Sequence, residues 1–563
     1  MQFLFQRSAI ALAVLSSGLA CAQTVPDAGA LNQQLQRNRE LELPARSELP
    51  AVATPEVVAR QNGPVVTVKA FRFAGNTLLS AEQLGPALGA YVDRPLGFAQ
   101  LQQAAAALAE AYRKAGWIVR TYLPQQEIKD GLVTIQVVEA RFGGTRTEGD
   151  ASRRIPEATI LRMVQAQQPA GAPLKADALD RALLLIGDLP GVSVGGTLRA
   201  GANDHETDLV LRFGERPGAS GSVTLDNEGA RATGAARAVG LMTLNSLLGQ
   251  GEQIDGQVIA SQGSDFLWLS ATVPLGSAGW RGGVNGSYLD YRLISSDFSA
   301  LDARGSSSTV GLQASYPVLR ARLANLYLSV NADHKSFDNR SNGATTSNYS
   351  VDSATVGLSG NHFDEFGGGG VSTAEASVAR GRLDLAGSPN QAADAATTRA
   401  GGGYTKIHYS LARRQTLGAD WSAYAALSGQ WADKNLDSSE KIFLGGADGV
   451  RAYPVNEAGG SKGQILNLEL RRRLPRGFSA TAFYDYGRID QNVGNSFAGA
   501  ANPNGYALQG GGLSTSWQAA HGAEIKATWA HRVGRNPNPT STGADQDGSR
   551  HLNRFWLSAA LSF

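Results

Sequence analysis

From residue 218 to the C-terminus the chain alternates, and that alternation limits its fold more than any other feature. Leu326, Leu328, Val330 and Ala332 are interleaved with Tyr327, Ser329, Asn331 and Asp333. Leu466, Leu468 and Leu470 are interleaved with Asn467, Glu469 and Arg471, and Ile525, Ala527 and Trp529 with Glu524, Lys526 and Thr528. A period of two belongs to β-strands, whose successive side chains point to opposite faces. Charges at every second position of strands about ten residues long make one face wet. Two architectures satisfy this pattern. A soluble sandwich keeps the wet face outside and packs the apolar faces of two sheets together. A membrane barrel turns the apolar face to lipid and the wet face to a lumen. The alternation alone serves either.

Length and ending separate them. About sixteen strand candidates follow residue 218, an even number as bacterial single-chain barrels require. The last candidate, Phe555 to Phe563, sets Phe555, Leu557, Ala559, Leu561 and Phe563 on one face and ends the chain on an aromatic residue. That ending resembles the C-terminal signal read by the outer-membrane barrel assembly machinery, with Phe555, Leu561 and Phe563 as the residues read. Connections alternate between short ones, such as Gly249-Gln250-Gly251, and long ones, such as 437–463. Short periplasmic turns and long outer loops have that asymmetry. No stretch after the N-terminal leader is long and apolar enough for a spanning helix, so a crossing of lipid requires a closed barrel. The expected fold is therefore a transmembrane β-barrel of about 16 antiparallel strands over 218–563. Of the 67 glycines, the excess lies mostly in this half, where tight turns and small lumen-facing positions use it.

The first 22 residues have the form of a secretory signal peptide. Arg7 supplies the positive start, Ala9 to Leu15 the apolar centre, and Ala20-Cys21-Ala22 the small-residue cleavage site. Gly18 argues against a lipoprotein signal at Cys21, because an aliphatic residue is wanted there. Cys21 is the sole cysteine, so cleavage after Ala22 leaves no disulfide. The charges nearly cancel, 51 Lys and Arg against 49 Asp and Glu. Nucleic acid is thereby excluded as the main partner, since phosphate binding needs a clustered basic excess.

Between leader and barrel the composition changes three times. Residues 23–42 hold a short helix, with Asp27 at its cap and Leu31 and Leu35 one turn apart; on propensity alone a frayed segment serves as well. Residues 43–64 carry Pro44, Pro50, Pro55 and Pro64 and form an extended linker. Residues 65–141 follow a β-α-α-β-β order. Val65 to Phe73 is the first strand, Ser80 and Gln83 make a capping box, and Leu101, Ala105, Leu108 and Tyr112 share a helix face ended by Gly116. Strands at Trp117 to Leu123 and Leu132 to Ala140 complete the unit. Residues 142–214 repeat the order, with helices at Pro156 to Gln165 and Ala176 to Gly187 and strands at Val192 to Ala200 and Thr207 to Phe213.

Catalytic constellations are absent. Gly459-Gly460-Ser461-Lys462-Gly463 matches G-x-S-x-G, but a loop precedes it and a strand follows, where a nucleophile elbow needs strand then helix. The seven histidines have no zinc spacing and no phosphate-binding glycine loop occurs. No cofactor or metal is expected. The informative stretch is GGADGVRAYP, Gly445 to Pro454, inside the loop 437–463. Ile442, Phe443 and Leu444 before it and Tyr453 within it are costly in water, which is explained if the loop tip enters the lumen. Arg451 then needs a partner. Asp485 is one, on the strand face opposite Ala480, Ala482 and Tyr484. Spacing alone favours a solvated loop arginine over this pair.

The order of leader, helix, linker, two α+β units and barrel resembles the two-partner secretion transporters (TpsB type, the haemolysin and filamentous-haemagglutinin exporters), over essentially the whole mature chain. Val450-Arg451-Ala452-Tyr453 is similar to that family's VRGY loop motif. Phe483 to Gly487 is similar to its barrel-wall motif, whose aspartate contacts the arginine. Ala452 departs from the motif, standing where glycine is more usual. The resemblance implies POTRA domains at 65–141 and 142–214 in the periplasm of a Gram-negative bacterium. It implies a latch of Val450, Arg451, Tyr453, Asp485 and Gly487, and a plug at 23–42. The implied partners are a large β-helical exoprotein (adhesin, haemolysin or contact-dependent toxin), outer-membrane lipid, and the assembly machinery during biogenesis, with the transporter acting as a monomer. A barrel-assembly insertase of the same superfamily usually has more POTRA units and no plug. A passive porin has no use for 65–214, and a secreted enzyme has no site.

Overall fold

The computed structural model describes residues 25–37, 43, 65–149, 154–203 and 205–563. The leader at 1–22, and the linker at 43–64 apart from Leu43, lie outside the described residues.

The first helix, α1 (Ala28–Arg37), begins where Asp27 accepts from the Ala30 amide. The first α+β unit comprises β1 (Val66–Val68), β2 (Ala70–Ala74), α2 (Ala81–Leu84), β3 (Arg94–Leu96), α3 (Phe98–Lys114), β4 (Val119–Tyr122) and β5 (Leu132–Glu139). The single strand expected over 65–73 is two strands: β1 pairs with β3, and β2 pairs in parallel with β5. The capping box is present, Ser80 Oγ accepting from the Gln83 amide while the Ser80 amide donates to Gln83 Oε1. The helix it starts makes one α-turn and then tightens into a 3₁₀ helix over Gly85–Tyr91, where Pro86 offers no amide for an α-helical bond. Leu101, Ala105, Leu108 and Tyr112 are all buried, and α3 stops before Gly116 in the left-handed region at φ +86°. Burial pushes the Glu139 carboxyl up, but bonds from the Leu78 amide and from Thr77 outweigh it and hold it below its ordinary range.

The second unit comprises β6 (Arg141–Thr147), α4 (Glu157–Gln167), α5 (Ala176–Gly187), β7 (Val192–Ala200) and β8 (Glu206–Glu215), in sheet order β6-β8-β7. Ile160, Val164, Leu183 and Ile186 bury one face of α4 and α5 against Leu209 and Leu211. The units are joined by backbone bonds from Ile118 to Leu174 (3.0 Å) and from Ala176 to Gly116 (2.9 Å). The Lys175 ammonium lies 5.1 Å from the Trp117 ring centre.

The remaining strands are β9 (Ala219–Asp226), β10 (Arg237–Asn245), β11 (Gln253–Ser261), β12 (Ser264–Leu275), β13 (Trp280–Arg292), β14 (Arg304–Arg320), β15 (Ala324–Ser341), β16 (Ala344–Asp364), β17 (Gly370–Asp384), β18 (Gly402–Thr416), β19 (Trp421–Ala432), the short β20 (Ile442–Phe443) and β21 (Gly459–Gly460), then β22 (Lys462–Arg473), β23 (Phe478–Asp490), β24 (Gly505–Gln518), β25 (Ala523–Arg532) and β26 (Asn553–Ser562). All but β20 and β21 form one closed barrel of sixteen strands, with β26 antiparallel to β9. Val310 and Leu312 are 69% and 63% exposed on the outer wall, as a lipid-facing row must be. Outward aromatic pairs sit near one rim, Trp280 stacked on Tyr316 and Phe478 on Trp517, and Trp529 and Phe555 are register partners towards the other.

The short turns face the second α+β unit. Arg320 forks onto Asp188 with two bonds of 2.8 Å, Arg322 forks onto Asp180 at 2.7 and 2.6 Å, and Arg181 donates to the Pro317 carbonyl at 2.7 Å. Arg154 donates to the Asn245 carbonyl at 3.0 Å. Helix α5 is thus tied to the β14–β15 turn by two bidentate pairs, the geometry that makes arginine–carboxylate contacts specific. Because Asp188 and Asp180 are partly exposed, each pair contributes roughly 1 kcal/mol. Replacing both Arg320 and Arg322 by Ala is expected to free the second unit while the barrel stays intact. Spin labels on α5 and on the β14–β15 turn then give a broadened distance distribution with unchanged heat-modifiability on gels; an unbroadened distribution contradicts this anchor.

Candidate functional site

The connection between β19 and β22 runs over 433–461, slightly offset from the expected 437–463. It turns inward. β20 pairs with β21 to make a narrow neck, and the tip closes through bonds from Val450 to Leu444 (2.8 Å) and from Tyr453 to Val450 (3.0 Å). Leu444, Val450, Ala452 and Tyr453 are fully buried. They pack against Ile465, Phe483, Ile489, Leu508 and Ala530 of the inner wall.

Arg451 and Asp485 meet within this cluster. The guanidinium donates from Nε to Asp485 Oδ2 at 2.9 Å and from Nη2 to Oδ1 at 2.7 Å, and the Arg451 amide adds a bond to Oδ2 at 3.0 Å. Nη1 reaches Glu469 at 2.9 Å, and Glu469 is held in turn by Arg471 at 2.6 Å. The guanidinium carbon lies 3.6 Å from the centre of the Phe483 ring. The Asp485 side chain is 0% exposed, so its charge is tolerable only because nearly every acceptor direction is used. Asn467 completes the set, donating to Asp485 Oδ1 at 2.7 Å and to the Gly449 carbonyl at 3.0 Å. Trp556 Nε1 donates to the Arg451 carbonyl at 2.9 Å.

Two wall glycines make room for the loop. A Cβ on Gly487 would stand 2.9 Å from Val450 Cγ2, and one on Gly510 would overlap the Ala452 methyl. Ala452, where the motif usually has glycine, is not in the left-handed region, and its methyl fills the space that Gly510 leaves. Beyond the tip, Tyr453 lies under Arg532, whose guanidinium carbon is 4.2 Å from the ring centre. Glu457 accepts from Asn536 at 2.7 Å and from the Gln546 amide at 2.8 Å.

Helix α1 occupies the same lumen. Ala28, Leu31 and Leu35 are buried against inward side chains of the wall, among them Tyr291, Phe337 and Val351. The Asp27 carboxylate accepts from Ser438 at 2.8 Å, and the Ala28 amide donates to Asn339 at 2.8 Å. Asn456 near the loop tip donates to Gln34 at 3.3 Å. Helix and loop therefore rest on each other at both ends of the helix.

Phe555 and Phe563 are 68% and 69% exposed, and Leu561 lies on the same outward face. Phe563 is paired through its backbone to Gly221. Ser461 of the G-x-S-x-G match accepts from the Leu436 amide and donates to the Gln491 carbonyl, with no helix following. Among the described residues no group of three or more metal-ligating side chains converges. Sequence reasoning missed Glu469, Asn467, Trp556 and Gly510 as parts of the site. Glu469 and Asn467 stand on the wet face of an alternating strand, but only the register Asn467↔Asp485 and Glu469↔Phe483 brings them to the arginine.

A closed sixteen-strand barrel, a pair of α+β units at its short-turn end, and a lumen filled by a helix and a returned loop define an outer-membrane protein translocator. The chain belongs to the haemolysin secretion/activation protein family ShlB/FhaC/HecB, whose model matches residues 205–508, and the ShlB-type POTRA domain model matches 66–140. It is 26% identical to the heme/hemopexin transporter protein HuxB of Haemophilus influenzae, over 99% of this chain and 98% of that protein. It is 26% identical to the outer membrane transporter CdiB of Escherichia coli, over 82% and 79%. Among solved structures it resembles CdiB from Escherichia coli with a TM-score of 0.68 at 20% identity, covering 96% of this chain and 100% of that one. BamA from Haemophilus ducreyi, lacking POTRA domains 1–3, is similar in fold with a TM-score of 0.54 at 15% identity, covering 89% and 100%. The protein is an outer-membrane two-partner secretion transporter that secretes a partner exoprotein, with its POTRA domains in the periplasm.

Removing the Arg451 side chain leaves Asp485 buried without its counter-charge, at a cost of about 3–5 kcal/mol to loop docking. Arg451→Ala is expected to expose the tip to protease added from outside, with cleavage near Val450 and an intact heat-modifiable barrel. A tip as protected as in the parent contradicts this.

Proposed function

We propose that Arg451 and Asp485, with Val450, Tyr453 and Gly487, form a latch that holds the loop in the lumen at rest, and that the loop and α1 give way when the partner is exported. The observation carrying this is the buried arginine fork on the inner wall, beside a helix held by a further set of polar contacts. Such contacts release as units, which suits a two-state element. The POTRA units meet the unfolded exoprotein in the periplasm. β4 is an edge strand of the first sheet, and a peptide added there gains main-chain bonds. The barrel conducts the chain outward in extended form without any covalent step, and folding outside supplies the drive. The exoprotein is a large β-helical adhesin, haemolysin or toxin, and the naming of HuxB for heme and hemopexin adds a haem-acquisition partner to that range. The transporter acts as a monomer, and the assembly machinery reads Phe555, Leu561 and Phe563.

Deleting 66–140 is expected to abolish export while leaving an assembled pore, scored by partner in the medium and by channel formation in planar bilayers. Continued export refutes docking on the first unit. Deleting 25–37 is expected to raise single-channel conductance severalfold; an unaltered conductance counts against a plug.

A further inference from the structure

The outer wall of β14–β18 is not a uniform apolar band. Val310, Leu312, Ala332, Ala354 and Gly403 line a shallow groove of about 760 Å³ across five adjacent strands. The outward positions on its floor are small, Ala332, Ala354 and Gly403, while Val310 and Leu312 flank it. Arg380 is the register partner of Ala354 and stands level with Ala332 and Leu312, while His334, Asp352 and Arg382 form the next row towards the long loops, between Val310 and Gly403. Arg380 and Arg382 lie two residues apart on one face of β17, about 7 Å along the strand. Both are exposed. Arg380 donates to Thr405 at 3.0 Å, and among the described residues neither arginine is in a salt bridge. Two carboxylates stand near them. Asp352 is the register partner of Arg382, but it is engaged with His334 at 2.7 Å. Asp384 accepts from the Ala386 amide at 2.9 Å.

Arginine on a lipid-facing wall is tolerated where its head reaches the interface. Two guanidinium groups without a carboxylate partner among the described residues, at the side of a small-residue groove, offer phosphate donors and an acyl chain a seat. We propose that this groove binds a phosphorylated multi-acyl lipid of the outer leaflet, of the lipid A class. The phosphate rests on Arg380 and Arg382, and one acyl chain lies over Ala332, Ala354 and Gly403. The side fixes the leaflet, because the POTRA units sit at the opposite rim.

The test uses the full-length protein in detergent and native mass spectrometry with three probes: bis-phosphorylated lipid A, the same lipid stripped of phosphate, and inorganic phosphate. The parent is expected to retain the phosphorylated lipid about tenfold better than the stripped one, and inorganic phosphate is not expected to displace it. The Arg380→Ala/Arg382→Ala pair should lose that preference. Ala354→Trp, which fills the groove and keeps both charges, should lose the adduct. Heat-modifiability on gels confirms that each variant is folded. Equal retention of both lipids, full retention by the arginine variant or by Ala354→Trp, or displacement by inorganic phosphate alone overturns the proposal.

Discussion

One guanidinium sits where a charge is hardest to keep, and the rest of the lumen is arranged around it. Arg451 reaches the inner wall only because the loop behind it folds inward. It stays there because Asp485, Glu469 and the Phe483 face satisfy it on three sides. The loop is inward because Leu444, Val450 and Tyr453 find apolar surface on the wall. The apolar residues supply the drive, while the charge fixes one register of docking, since an arginine slipped by one position would leave Asp485 buried without a counter-charge.

The barrel makes this arrangement affordable. Closing sixteen strands leaves the barrel sheet without an edge and gives an interior in which alternate side chains are polar. A helix and a loop laid inside find hydrogen-bond partners as well as apolar ones. α1 uses both kinds, with Leu31 and Leu35 against the wall and Asp27 on Ser438. Because Ser438 belongs to the same loop as Arg451, helix and loop share a foundation, and what loosens the loop base loosens the helix cap. At the opposite rim, α5 is tied to the β14–β15 turn, which places the periplasmic units beside the pore mouth.

Much of this was legible in the chain. Period-two alternation over long strands, with charges on one face, forces a barrel once the number of strands and the aromatic terminus are taken together. Helix α5 was readable at both ends, as was the Ser80–Gln83 box at the start of α2. Other features depend on tertiary contacts that local patterns do not encode. The strand expected over 65–73 divides because β3 pairs with its first half. β6 went unnamed because its Gly143-Gly144 step hides the pattern. Asp485 as the partner of Arg451 rested on resemblance. Glu469 and Trp556 required the register of β22, β23 and β26 around the closed barrel, which no local pattern in one strand encodes.

The central claim is that the loop seen in the lumen must leave its wall contact for a partner to pass. Val450→Cys with Gly487→Cys tests it directly, because a Cβ at Gly487 stands beside the Val450 side chain and Cys21 is the only cysteine in the sequence. Partner secretion is measured with the crosslink formed and after its reduction. The account predicts that secretion stops in the oxidised transporter and returns on reduction; equal secretion in both states would contradict it.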